Sequence, residues 1–209
     1  MKAFVFVGGG IAAENIKLNK EEGDMVIAAD SGLVNAKALC FEPDLLVGDF
    51  DSLGRENIPR DTEIVDFPAE KDFTDTQAAC QIAIENGASE IIFVGGLDGR
   101  LDHTLSNMAI LRFLYEKRIR AQITDGRNRV RYIKNTNEII VRSSYKYLSV
   151  IADDEVAKGV DIEGCKYPLK NARLSREHQF AVSNEIVGNC ALVSVKKGGL
   201  FIIESGYGE

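Results

Sequence analysis

The 209-residue chain is 45% hydrophobic and 27% charged, a balance that builds an apolar core and excludes a disordered chain. With 25 Lys and Arg against 32 Asp and Glu, the formal charge is −7, which argues against a nucleic-acid scaffold with its basic face. A phosphorylated substrate stays open, because a metal ion can bridge carboxylates and phosphate.

Residues 3–7 form an apolar, β-branched run ending at Gly8-Gly9-Gly10, and predict a buried strand. Residues 11–19 are compatible with a helix. Residues 25–29 predict a second strand, ending at Asp30-Ser31-Gly32, and residues 33–39 offer helix formers. Residues 44–47 predict a third strand, ending at Gly48-Asp49, and residues 62–67 a fourth. From Phe73 a helix is expected, capped by Thr74 or Asp75, with Ala78, Ala79, Ile82 and Ala83 as its stripe and Asn86-Gly87 as its stop. Residues 90–94 read as a strand before Gly95-Gly96. Residues 105–115 read as a helix with Leu105, Met108, Ala109, Leu111 and Leu114 inward, and residues 119–124 as a further strand.

This βαβα rhythm predicts a Rossmann-like α/β domain: a parallel sheet covered by helices on both faces, with ligands at the carboxyl ends of the strands. After about residue 125 the rhythm changes. Short strand candidates at residues 129–133, 138–142, 147–151, 156–162, 180–182, 190–195 and 200–204 predict a small all-β sandwich or barrel. The expected division is a first domain at residues 1–125, a linker at 126–137 and a second domain at 138–209.

No membrane partner is expected: no stretch nears the about 18–20 apolar residues that span a bilayer. The first apolar run is shorter than the about 7–15-residue core of a secretory signal, so the expected location is the cytoplasm. Cys40, Cys80, Cys165 and Cys190 form no CxxC pair and read as reduced, buried residues.

Carboxylates gather at the strand ends of the first domain. Asp49 and Asp51, two apart in an extended segment, point the same way and can face one ion. Asp72 and Asp75 stand three apart at a helix start, where capping explains them equally well, as it does Thr74. Together the acids repel one another unless a cation neutralises them, and oxygen ligands without His or Cys favour Mg²⁺. Arg100 is a planar phosphate clamp, and Asp102 can cap the next helix or orient a substrate hydroxyl. His103 reads as a surface residue. The GxGxxG and Walker A patterns are absent, so Gly8-Gly9-Gly10 alone says little. In the second domain Tyr167, Ser183 and Asn184 can contact a heteroaromatic ligand or simply form a strand end and a turn.

Taken in order, Ala29-Asp30-Ser31-Gly32, Pro43-Asp44, Gly48-Asp49-Phe50-Asp51-Ser52, Lys71-Asp72-Phe73-Thr74-Asp75 and Gly99-Arg100-Leu101-Asp102-His103 resemble the thiamine pyrophosphokinase family. Gly164-Cys165-Lys166-Tyr167-Pro168-Leu169 and Val182-Ser183-Asn184 resemble the bacterial form of its substrate-binding domain. The resemblance implies an α/β catalytic domain followed by a β-sandwich. It implies transfer of the pyrophosphoryl group of ATP to thiamine, giving thiamine diphosphate and AMP. It further implies a homodimer with the thiamine site between subunits. Carried over by motif, Asp49, Asp51 and Asp75 are the expected Mg²⁺ ligands. Asp30 and Asp72 lie near nucleotide or metal, Arg100 holds phosphate oxygens, and Asp102 lies by the transferred group or by the thiamine hydroxyl, whose proton it can take. Thr74 touches substrate, and Ser183 and Asn184 contact thiamine. The chain has no Trp where animal members place an aromatic residue near thiamine. Competing readings are a pyrophosphokinase acting on a pterin alcohol, a Mg²⁺-dependent phosphohydrolase and a non-catalytic nucleotide sensor.

Overall fold

The computed structural model describes residues 1–48, 62–65 and 72–207. The chain forms two compact units, Met1–Gly126 and Arg127–Glu209. Together they carry a largely parallel sheet with helices and an antiparallel sheet, a mixed α/β architecture.

In the first unit, β1 (Lys2–Phe6), β2 (Met25–Ala29), β3 (Leu45–Val47), β4 (Glu63–Val65), β5 (Glu90–Val94) and β6 (Arg120–Thr124) pair in parallel in the order β4-β3-β2-β1-β5-β6. Ala3, Phe4, Val5 and Phe6 are all fully buried. Successive strand residues face opposite ways, so both faces of β1 are covered. Phe4, Phe6, Val26 and Ala28 share one core with Leu33 and Ala36 of α1 (Gly32–Ala38). The Phe41 ring closes that core, 5.4 Å from Phe4 and 5.3 Å from Phe6. α2 (Asp75–Glu85) packs on β1, β2 and β3, and α3 (Leu101–Glu116) packs on β6.

Two expectations fail here. Residues 11–19 make only a 3₁₀ turn at Ala13–Asn15. The Ala12 N–H donates to the Asp125 carbonyl at 2.7 Å, and Ile11, Ile16 and Leu18 pack singly on the core, so no helical stripe forms. The last helix starts at Leu101, four residues earlier than expected; Leu111 and Leu114 are buried as expected, but the stripe runs through Asn107 and Ile110 and not through Leu105, Met108 and Ala109. Its buried positions are Asn107, Ile110, Leu111 and Leu114, an i, i+3, i+4, i+7 stripe, while Leu105 is 59% exposed.

In the second unit, β7 (Asn128–Lys134), β13 (Gly199–Tyr207) and β9 (Tyr145–Ala152) pair antiparallel. So do β11 (Leu169–Ser175), β10 (Val156–Glu163), β12 (Cys190–Lys197) and β8 (Asn137–Val141), in that order. One buried cluster draws on both sets, from Ile133, Val150 and Ile202 to Ile140, Val160 and Val193. The stretch expected as a linker, 126–137, is mostly strand, because Val130, Tyr132 and Ile133 of β7 are buried. The strand expected at 180–182 does not form. Ala181 lends its carbonyl to the Val150 N–H at 2.7 Å, but Phe180 and Val182 stay exposed. β11 was not expected; it lies at the edge, its Lys170, Asn171 and Arg173 face water, and only Leu174 is buried.

Glu204 continues the inward row of Leu200 and Ile202 on β13, and its side chain is 4% exposed. Arg129 answers it with a bidentate pair, Nε to Oε2 at 2.7 Å and Nη2 to Oε1 at 2.6 Å. The Ser143 hydroxyl adds 3.1 Å and Arg131 a contact at 3.4 Å. Burial pushes the Arg131 guanidinium below its ordinary value, and Glu204 opposes that shift. No helix of the described residues is long and apolar enough to cross a membrane.

Candidate active site

The strand order reverses between β1 and β5, and in open α/β sheets the ligand crevice lies outside the carboxyl ends at such a reversal. β1 runs into Gly8-Gly9-Gly10 and β5 into Gly95-Gly96. The Gly96 N–H donates to the Gly8 carbonyl at 2.8 Å and ties the two turns together. Two buried asparagines hold them from below. Asn35 of α1 donates through Nδ2 to the carbonyls of Val7 at 2.7 Å and Gly9 at 2.9 Å. Asn107 of α3 donates to the Gly96 carbonyl at 3.0 Å. Each carboxamide supplies a donor to carbonyls at these turns, so their hydrogen bonding is met within the chain.

Sequence reasoning missed both asparagines. Their signal was position: Asn107 completes the stripe of Ile110, Leu111 and Leu114, where a polar residue is costly unless it has a task.

Asp30 ends β2 with φ +48°, in the left-handed region, and its N–H donates to the Val47 carbonyl at 2.9 Å. Its Oδ1 lies against the Cα of Gly48, where any side chain would collide with it. The carboxylate therefore stands beside the chain as it leaves β3 toward Asp49. Asp49 and Asp51 themselves lie outside the described residues, as does Lys71.

α2 joins the parallel strands β4 and β5, so its N-terminus sits at the same carboxyl edge. Asp72 is exposed just before it, and Asp75 is half-buried in its first turn. Thr74 is the cap: its hydroxyl accepts from the Gln77 N–H at 3.2 Å, while Gln77 Oε1 accepts from the Thr74 N–H at 3.0 Å. The Thr74 hydroxyl thus has a structural task in this arrangement.

Arg100 caps α3 and forms a bidentate pair with Asp102, Nε to Oδ1 at 3.1 Å and Nη2 to Oδ2 at 2.7 Å. Both side chains are exposed. The Arg100 guanidinium holds the Asp102 carboxyl down at about 2, and the His103 N–H donated to Oδ1 at 2.9 Å helps. So placed, Asp102 is a poor proton acceptor until Arg100 turns to another anion.

In the second unit Ser183 adopts φ +57° and donates its N–H to the Ser149 hydroxyl at 2.9 Å. Asn184 is 4% exposed. Its Oδ1 accepts from the N–H groups of Tyr167 and Glu185, both at 2.9 Å, and its Nδ2 donates to the Tyr167 carbonyl at 2.7 Å. These bonds use both oxygen lone pairs and one of the two amide hydrogens. Asn184 therefore acts first as a clamp on the Tyr167 backbone. The Tyr167 ring itself is 59% exposed, with the Lys166 ammonium 5.6 Å from its centre.

Among the described residues no three His, Cys, Asp or Glu side chains converge as a metal-binding set. The carboxylates that border the crevice, Asp30 and Asp75, are hard oxygen donors, which suit Mg²⁺.

Glycine turns, acids and an arginine at the carboxyl edge of a parallel sheet define the class, an α/β protein whose strand ends form the candidate ligand site. Comparison with known proteins makes the assignment specific. Residues 17–123 match the family model of the thiamin pyrophosphokinase catalytic domain, and residues 136–200 match that of the thiamin pyrophosphokinase vitamin B1 binding domain. The thiamine pyrophosphokinase of Bacillus subtilis is 28% identical over 88% of this chain and 89% of its own. Among solved structures, that of the Bacillus subtilis thiamine pyrophosphokinase superposes with a TM-score of 0.86 at 26% identity, covering 98% of this chain and 99% of the other. The Geobacillus thermodenitrificans thiamin pyrophosphokinase gives 0.84 at 30% identity over 99% and 98% of the two chains. The chain belongs to the thiamin pyrophosphokinase family.

Proposed function

We propose that this chain is a thiamine diphosphokinase, transferring the pyrophosphoryl group of ATP to the hydroxyl of thiamine and releasing AMP. The observation that carries the reading is the succession of two family models, a catalytic domain over residues 17–123 and a vitamin B1 binding domain over residues 136–200. In this reading the first unit is a Rossmann-like catalytic domain and the second a sandwich that binds thiamine. The subunits pair as a homodimer with the thiamine site between them. Of the four free cysteines Cys80 and Cys165 are buried as expected, whereas Cys40 and Cys190 are exposed; unpaired thiols suit a reducing cytoplasm.

Asp49, Asp51 and Asp75 would hold Mg²⁺, with Asp30 and Asp72 close by. Bound there, the ion would neutralise phosphate charge and align the chain for in-line attack. The protein's own part is positioning. The glycine turns let backbone approach the nucleotide, and Arg100 exchanges Asp102 for phosphate oxygens. Freed of Arg100, Asp102 returns toward an ordinary carboxylate and accepts the proton of the thiamine hydroxyl as its oxygen bonds to the β-phosphorus. The bond from that phosphorus to the α–β bridging oxygen breaks, and AMP leaves with the oxygen. Ser183 and the remaining Asn184 hydrogen orient thiamine, and Thr74 keeps the acids of α2 in place.

Mass spectrometry of products tests the reaction. Purified protein with ATP, Mg²⁺ and thiamine is expected to yield thiamine diphosphate and AMP, each dependent on all three. ADP with thiamine monophosphate would overturn pyrophosphoryl transfer. AMP formed only with a pterin alcohol would overturn the substrate, and phosphate release without an acceptor would make the protein a hydrolase.

A further inference from the structure

The loop after β5 does more than carry Arg100. Asp98, two residues before it, reaches back across the crevice to the turn after β1. Its Oδ2 accepts the Gly10 N–H at 3.2 Å. A methyl group at Gly10 would lie 2.6 Å from that oxygen, and one at Gly9 would lie 3.0 Å from the Asp98 carbonyl. Asp98 therefore closes over the glycine turn at the strand-order reversal itself. The turn does not need this contact to hold its shape. Asn35 already binds the carbonyls of Val7 and Gly9, Gly96 binds that of Gly8, and Ala12 is tied to Asp125.

We infer that Asp98 is a built-in competitor of the nucleotide: its carboxylate holds the Gly10 amide in the place a phosphate oxygen takes when a nucleoside triphosphate binds. The inference rests on reading the crevice as the nucleotide site. Carboxylate and phosphate oxygens are equivalent partners for a backbone N–H, so one anion must leave for the other to bind. Asp98 also adds a negative charge to an edge that already carries Asp30 and Asp102, and so raises the electrostatic cost of bringing phosphates in. Asp98 is thus a residue that sets nucleotide affinity and leaves thiamine recognition alone.

The test is calorimetric titration of the full chain with α,β-methylene ATP, whose α–β bridge resists cleavage, in Mg²⁺ and again in EDTA. Asp98→Asn keeps an acceptor oxygen without the charge, and Asp98→Ala removes both. Each variant is expected to bind about three- to tenfold tighter, the gain being larger in EDTA where the phosphates keep their full charge. The KM for ATP should fall while the KM for thiamine holds. Weaker or unchanged binding by either variant overturns the inference, and weaker binding confined to Mg²⁺ makes Asp98 a metal ligand instead. If Asp98→Ala fails to fold, Asp98→Asn decides alone. Tighter nucleotide binding in a protein that makes no thiamine diphosphate would defeat the reaction and keep the inference. Thiamine diphosphate synthesis with unaltered nucleotide affinity would do the reverse.

Discussion

The two units hold their working turns in different ways. In the first, the turns follow parallel strands buried on both faces, and the restraints come from beneath: Asn35 and Asn107, on two different helices, grip the carbonyls of two glycine turns. The acids above stay at least partly exposed. In the second, the turn at Ser183 and Asn184 belongs to no strand. It bridges to Leu148 of β9, and Asn184 spends its own side chain on the neighbouring segment. A parallel sheet supplies an edge where all strands end together, so loops can be braced by the helices that return along it. An antiparallel unit has no such edge, and its turn is braced from the side, by β9 and by the Tyr167 segment.

Glu204→Leu should separate the units most sharply. It leaves Arg129 and Arg131 without their buried carboxylate, and a loss of about 3–5 kcal/mol is expected in urea denaturation. Spectroscopic probes placed in the first unit should report no change in its native structure. Asp75→Asn should act on the first unit only, lowering kcat about a hundredfold, or about 2.7 kcal/mol, with unfolding unchanged. A near-normal kcat would remove Asp75 from the metal set. Asn184→Ala should cost the second unit about 1–3 kcal/mol, because the Tyr167 N–H and carbonyl lose their partner. It should also raise the KM for thiamine while that for ATP holds, and equal rises in both would dissolve the division of labour.

The smallest effect concerns charge alone. NMR titration should find the Asp102 carboxyl near pH 2, and Arg100→Gln should move it up toward the ordinary carboxylate range, with the His103 N–H still holding it somewhat down. Because the folded value is depressed, the pair is intact above the ordinary carboxylate range and is lost as pH falls toward 2. Titration near 3.9 in the unaltered chain would mean that Asp102 is free of Arg100.

Local chemistry was the most legible part of the chain. β2 and β5 run over the residues expected, because each is a short apolar run closed by Asp or Gly. Thr74, one of the two caps expected with Asp75, caps α2, and Gln77 completes a capping box within four residues. α3 was legible as a helix and only in part, through Leu111 and Leu114, as a face. Its apolar residues allow more than one stripe, and only contact with the sheet chose the one through Asn107. β11 hid for the converse reason, as an edge strand with one buried side chain has no alternation to display.

By itself the sequence determined the alternation of strands and helices, the change of rhythm near residue 125, and the ordered motifs that mark the family. Those depend on spacing along the chain, which is fixed by covalent geometry. Tertiary structure alone decided which polar residues are structural. Asn35, Asn107 and Asn184 each hold backbone groups that lie 11 to 28 residues away, and the Asp98 carboxylate holds a glycine 88 residues away. A hydrogen bond is selected by distance and direction in space, and no pattern along the chain records either.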